Sequence, residues 1–358
     1  DSFINGVLDG CIDPNLGNAY LGVPLSANAV NLYYNKDIFK ELGIPDKAPE
    51  SWSEVLEICK KIKDSGKDII PFSAQNSINW NLDWQRRWMM NDLWDDVVEQ
   101  LDIIQPDGIL QISEQALGVK TGVIDPADPR MIDYFKFMKE FCKCLNEGFN
   151  TASWEYEALF NEGKSAMTLN GSWYANQIKT TPGMVAPNYG VGPVPYVDKK
   201  ISSYSVGVAR KLNLGQVNPT FFVTQKCLDE GWIDAAIDFL QYLTDPNSGA
   251  KFITEQTMWI PVVKGVEVPE ELKGIVEGIG DEQMKIPMWS IHAFTTEADQ
   301  KALVMFQQFY TDDMSAEQFA KEVFKPHVMK YLEIAIQDHP EWRISEFESK
   351  VIESKVKK

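Results

Sequence analysis

The sequence predicts an α/β protein, and three observations carry that prediction. Short runs rich in β-formers alternate with longer runs of helical period along the chain. A strand pattern at Val30, Leu32 and Tyr34 passes straight into a helix that Asn35 can cap. A second strand, 165–169, is followed by Asn170-Gly171-Ser172-Trp173 and the first turn of another helix. With 358 residues, the chain is long enough for one large or two medium domains with ample core.

In chain order, the helix after Asn35 covers Lys36 to Leu42 and is stopped by Gly43. Ser51 with Glu54 forms a capping box. It opens a helix whose apolar face is Trp52, Val55, Leu56, Cys59 and Ile62. Gly66 ends that helix, and Ile69 to Ser73 reads as a short strand. From Asn76 to Gln100 the pattern is helical, with Trp84, Trp88 and Leu93 on or near one face. Further helices are expected over Pro129–Asn146 and from Trp154 to Asn161. Tyr189–Pro195 and Ser203–Ala209 are strand-like, whereas 211–229 has no period and is expected to be irregular. Trp232–Leu243 is an amphipathic helix, and the turn Thr244-Asp245-Pro246 can cap another over Asn247–Thr254. Helices over 295–309, 315–334 and 340–354 close the chain. There is no internal repeat and no low-complexity tract.

Charge excludes some partners. The 52 acids against 34 bases give a formal net charge of -18. A phosphate backbone or an anionic lipid surface calls for clustered Lys and Arg, so neither is expected as a partner. No stretch is long and apolar enough to cross a membrane. The three histidines, His292, His327 and His339, are scattered, so no metal site is expected and no cofactor. Of the five cysteines, Cys142 and Cys144 lie two apart on a helical pattern, where side chains diverge. That pair is a poor disulfide or zinc element, and reduced structural thiols are expected.

Aromatic residues are the compositional signal, with 11 Trp, 12 Tyr and 18 Phe. Several tryptophans stand in polar company. Such a side chain is either a core anchor or a planar surface offered to a ligand such as a sugar face. A glycosidase would also combine tryptophan walls with acids, and would need two carboxylates at a set separation. The sequence has no G-x-S-x-G, no phosphate loop and no H-E-x-x-H. A scaffold protein without a ligand would not need tryptophans at predicted strand ends.

Three segments, in this order and spacing, carry a resemblance. The first is Gly22-Val23-Pro24-Leu25 with Leu32-Tyr33-Tyr34-Asn35-Lys36-Asp37, Gly43-Ile44, Pro49 and Ser51-Trp52. The second is Phe160-Asn161-Glu162-Gly163-Lys164, Ala166-Met167 and Asn170-Gly171-Ser172-Trp173. The third is Ala235-Ala236, Phe239-Leu240, Leu243-Thr244 and Pro246, ahead of Trp259-Ile260-Pro261-Val262. Together they resemble the extracellular solute-binding proteins, family 1, which serve sugar ABC transporters and include maltodextrin-binding protein. The resemblance spans about residues 5 to 335. It implies the type II periplasmic-binding-protein-like fold, with two discontinuous α/β lobes, a hinge and a cleft between them. By analogy, residues 1–26 and 205–274 form lobe 1, and 27–204 with 275–358 form lobe 2. The family places about a hundred residues before its Gly-Val-Pro segment; here 21 precede Gly22. Lobe 1 is therefore expected to be incomplete relative to the family.

The resemblance also assigns residues. Trp173 matches the tryptophan that stacks on a sugar ring. Its place at a strand end on a helix N-terminus is where α/β sheets bind ligands, and Gly171 is expected to permit a sharp turn before it. Asn28 matches a cleft position on the hinge segment, where its amide offers both donor and acceptor; a turn-stabilising asparagine is the alternative. Trp80, with Asn79, falls at the lobe 2 aromatic wall, with Trp84 one helical turn on as the competing choice. Trp289 and His292 correspond to another aromatic wall, and Tyr204 near the crossover is a further candidate. The function implied is binding of a carbohydrate, an oligosaccharide by expectation, and its delivery to an ABC permease without chemistry on the ligand. An exported monomer at the extracellular face or in the periplasm, held by a lipid anchor where it is a lipoprotein, completes the expectation.

Overall fold

The structure is a computed structural model that describes residues 2–4, 7–8, 11–13, 17, 19–77, 81–151, 155–180, 187–209, 219–276 and 284–356. Its first strands are two-residue pieces: β1 (Ile12–Asp13) pairs with β2 (Ala19–Tyr20). The organising element is the six-residue strand β5 (Val30–Asn35), every residue of which is buried. It is reached through β3 (Val23–Pro24) and β4 (Ser26–Ala27). On one side β5 pairs antiparallel with β6 (Met167–Gly171), and on the other with β7 (Tyr189–Pro193). A strand buried on both faces reads as a continuous apolar and aromatic run rather than an alternation, which is what Val-Asn-Leu-Tyr-Tyr-Asn provides.

Local chemistry fixes the helices around this sheet. Asn35 ends β5 and caps α1 (Lys36–Glu41), its Oδ1 accepting from the amides of Asp37 (3.0 Å) and Ile38 (3.1 Å). Gly43 sits at φ +61°, a left-handed value that only glycine adopts at no cost. Ser51 caps α2 (Trp52–Asp64), accepting from Glu54 N at 3.3 Å. The predicted face of α2 is buried through Trp52, Val55, Cys59 and Ile62, and Trp52 meets Phe72, Phe137 and Phe141 at 5.4–6.4 Å between ring centroids. Helix α3 (Asn81–Leu101) runs through the core, and α4 (Ile112–Thr121) follows it. Helix α5 (Pro129–Cys142) starts at the cap Asp128 with proline at its first position. Helices α6 (Glu155–Asn161) and α7 (Trp173–Thr180) flank β6.

The short strands β3 and β4 leave this body. They pair with β8 (Thr220–Phe221) and β9 (Ile260–Pro261), and between those two lie α8 (Gln225–Asp229), α9 (Ile233–Leu243) and α10 (Gly249–Thr257). Neither α8 nor α9 buries a side chain, and Trp232, Phe239, Tyr242 and Phe252 are each more than half exposed. The amphipathic stripe predicted over 232–243 is present, with its apolar side facing solvent. Helix α11 (Glu270–Val276) packs back on β7, with Ile275 O accepting from Asn31 Nδ2 (3.3 Å).

The chain closes with α12 (Thr296–Thr311), α13 (Ala316–Gln318), a π-helical stretch over Phe319–Phe324, α14 (Lys325–Asp338) and α15 (Ile344–Val356). Two expectations change. Residues 203–209 carry no strand; Ser205 turns inward instead, its hydroxyl on Val197 O. Within 211–229, expected to be irregular, lie β8 and α8.

Candidate ligand-binding site

The end of β6 and the start of α7 are built together. Tyr33 on β5 donates to Gly171 O (3.0 Å), and Ser172 N donates to Ala29 O (2.8 Å), so the turn before Trp173 is held against the segment 27–30. Asn170 is buried and donates to Glu157 Oε1 (2.9 Å); the other Glu157 oxygen accepts from Gln177 Nε2 (2.8 Å). Glu157 thereby joins α6, β6 and α7. The polar neighbours of Trp173 are internal ties of the turn, not surface residues. The periodicity of 155–161 does not mark Glu157, because its partners lie on two other elements.

Trp173 itself is half-buried. A Cβ on Gly171 would come within 2.2–2.3 Å of its six-membered ring, so the indole lies folded back over the glycine. Gly171 is required for space rather than for the sharp turn the sequence suggested. Trp84, one turn into α3, meets the same indole edge to face at 5.9 Å and 79°. That leaves Trp173 supported from below while part of it faces outward. Nearby, Asn28 is half-buried within a run, Pro24 to Asn35, whose other members are all buried. Asn79 and Trp80 lie outside the described residues. The helix they precede is anchored by Asn81, whose side chain accepts from Gln75 N (2.8 Å) and donates to Leu169 O on β6.

The other candidates are placed elsewhere. Trp289 is 2% exposed and stacks on Trp94 at 5.6 Å. It is a core residue rather than the exposed wall expected of it. Tyr204 is 43% exposed, but its ring lies under Arg130, which also covers Trp94. Trp94 is ten residues beyond Trp84, about 15 Å along α3. Trp289 and Tyr204 therefore do not join Trp173.

His292 is 4% exposed and sits behind the first turn of α3. Arg86 Nη2 is 3.0 Å from its Nε2. A guanidinium only donates, so the proton of the neutral ring stays on Nδ1. That atom has no partner among the described residues, and beside it is a cavity of about 20 Å³ lined by Asn76, Asp83, Arg86, Asp299 and Phe306. This is room for one water. Asp83 pairs with both Arg86 and Arg87, the latter at 2.5 Å, and Arg86 covers the Phe306 ring at 4.8 Å. Burial, and then the Arg86 charge, hold the His292 imidazole well below its usual value.

A pH dependence follows. The unfolded chain binds a proton near pH 6.5 that the folded protein refuses, so stability is full above that value and falls as pH drops below it. The groups facing the ring are Arg86 and Arg87 from α3 and His327 from α14. Asp299, raised first by burial and then by Asp83, acts with the opposite sign. Urea midpoints are expected to decline from pH 6.5 to 5, and His292→Gln to flatten that decline. An unchanged slope in the variant would remove His292 as its cause.

A family model described as a bacterial extracellular solute-binding protein matches residues 5–276. The chain belongs to that family. Among curated relatives, the multiple sugar-binding protein of Streptococcus mutans is 28% identical over 240 residues, covering 64% of this chain and 48% of the relative. The sn-glycerol-3-phosphate-binding periplasmic protein UgpB of Brucella abortus is 26% identical over 182 residues, covering 50% of this chain and 36% of the relative. The chain thus spans about half the length, or less, of these solute-binding relatives. Among solved structures, a chitin oligosaccharide binding protein aligns with TM-score 0.60 at 20% identity, covering 94% of this chain and 76% of that one. The maltose-bound MalE3 of T. maritima aligns with TM-score 0.56 at 18% identity, covering 93% and 76%. The fold of this chain is that of the type II periplasmic binding proteins.

Proposed function

We propose that the chain binds a carbohydrate against Trp173 and delivers it to an ABC permease, acting outside the cytoplasmic membrane and performing no chemistry on the ligand. The observation that carries this reading is the supported, partly exposed tryptophan on the N-terminus of α7, whose preceding Ser172 is bonded to Ala29, the residue after Asn28. CH groups on a sugar face pack on such a ring as cations do, while the asparagine amide can both donate to and accept from neighbouring hydroxyls. The lobes proposed are 1–26 with 205–274 and 27–204 with 275–358; closure about the segment 27–30 would bring the cleft walls onto the sugar. Kinship to UgpB raises a phosphate ester as the other ligand class. Arg86 and Arg87, the arginines near the start of α3, are both paired with Asp83, which favours an uncharged polyol.

The test is calorimetric titration with mono- and oligosaccharides and with glycerol 3-phosphate, alongside an assay for sugar products. Saturable sugar binding without turnover is expected. Product formation would replace the reading with a glycosidase, and preference for glycerol 3-phosphate would replace the ligand class.

A further inference from the structure

We propose that Glu157 is the positioning residue of the tryptophan platform: its carboxylate, buried behind the turn from β6 to α7, sets the tilt of Trp173 and so the affinity for ligand. This rests on the reading of Trp173 as the surface that meets the ligand. Glu157 is buried, as are Tyr156 and Asn170 beside it. Its Oε1 accepts from Tyr156 Oη (3.0 Å) and Asn170 Nδ2 (2.9 Å), and its Oε2 accepts from Gln177 Nε2 (2.8 Å). Two lines of contact lead from this carboxylate towards Trp173. The first runs through Asn170. With its Nδ2 on Glu157, its Oδ1 accepts from the amide of Gly171 (2.8 Å), the residue over which the indole folds. The second runs through Gln177, four residues beyond Trp173 and so on the same face of α7. Between them Tyr174, the neighbour of Trp173, donates to Asn161 Oδ1 (2.5 Å) on α6.

The network needs an acceptor on both sides. Its donors, one phenol and two side-chain amides, are neutral, so none of them holds the carboxylate by charge. What the carboxylate supplies is acceptance at both oxygens, whereas a glutamine would turn an NH2 group toward either Asn170 or Gln177. Either choice sets donor against donor where water does not compete, and one of the two amides must rotate away. Rotation of Asn170 takes its oxygen from the Gly171 amide. Rotation of Gln177 frees α7 from α6. The indole lies against Gly171 of β6 and against Trp84 of α3, so a shift of α7 relative to β6 changes its tilt.

Protein labelled with 5-fluorotryptophan is read by fluorine NMR without ligand, well below the melting range, with Trp173→Phe assigning the Trp173 resonance. The same proteins are titrated with sugars by calorimetry. Glu157→Gln is expected to move the Trp173 resonance, leave the other tryptophans in place apart from Trp84, and weaken sugar binding about fivefold. The exchange Glu157→Gln with Gln177→Glu turns the new NH2 group toward the new carboxylate and leaves its oxygen to Asn170. It is expected to return both the resonance and the affinity most of the way to the parent. Gln177→Ala removes one arm from a half-buried position, and a smaller shift in the same direction is expected; it decides the matter if Glu157→Gln does not fold. A Trp173 resonance that stays in place in these single variants, or an exchange that restores nothing, would overturn the proposal. A parent protein that binds no sugar would remove the ligand reading of Trp173 instead, and the resonance would still decide whether Glu157 sets the ring.

Discussion

Asp83→Ala is expected to destabilise the protein by about 3–5 kcal/mol, read as a lower urea midpoint at neutral pH, because it strands buried positive charge. Asp83 and Arg86 are each 8% exposed in their side chains, and Arg87 is 13% exposed. With the carboxylate gone, Arg86 keeps the Phe306 ring, the neutral His292 and the weaker field of Asp299 as partners. The first turn of α3 also loses the acid that suits its helix dipole. Two companions separate charge from packing. Asp83→Asn keeps a hydrogen-bond acceptor and is expected to cost less. Adding Arg86→Met to Asp83→Ala removes the stranded cation and is expected to recover part of the loss, since an apolar pair often replaces a buried ion pair at little cost. A single variant with the parent midpoint would show that water reaches Arg86 freely.

That network also marks where sequence reading stops. Caps and helix faces were legible because their causes are local: Asn35 and Ser51 each bond to amides two or three residues on. Trp173 was legible as a site candidate because the strand end and the helix start adjoin it in sequence. Its support was not. Trp84 was only the competing choice to Trp80, and nothing near it in sequence says that it meets Trp173 across the fold. Trp289 failed for the same reason in reverse. Pro-Met-Trp-Ser-Ile-His looks polar enough for a cleft, yet Trp94, far away in the chain, stacks on it and buries it. His292 looks like a hydroxyl ligand until Arg86 is placed beside it. Helix α4 escaped the hydrophobic pattern because its buried face includes Glu114 and Gln115. Glu114 accepts from Ile104, Gln105 and Gln111 amides, and Gln115 bonds to Leu110, Met288 and Ser290. Buried polar residues with complete partners mimic a surface face in any one-dimensional reading.

Trp173→Ala is expected to weaken sugar binding by about 30-fold or more, since an aromatic anchor in a binding site typically contributes about 2 kcal/mol. The effect should fall on ligand affinity and leave folding nearly intact, because the ring is only half-buried and lies at the edge of the core. Gly171→Ala tests the same platform from beneath. Its methyl would meet the indole at 2.2–2.3 Å, so the ring must rise or swing away from Trp84 while its chemistry is kept. Ring position, rather than the mere presence of tryptophan, is then what the titration reads. If position matters, Gly171→Ala loses affinity together with the change in Trp fluorescence that accompanies binding, and Trp173→Phe retains part of both. Trp84→Ala should lower affinity less than Trp173→Ala, through a looser ring. A Trp173→Ala protein that binds the same sugars as tightly as the parent would move the site away from α7 altogether.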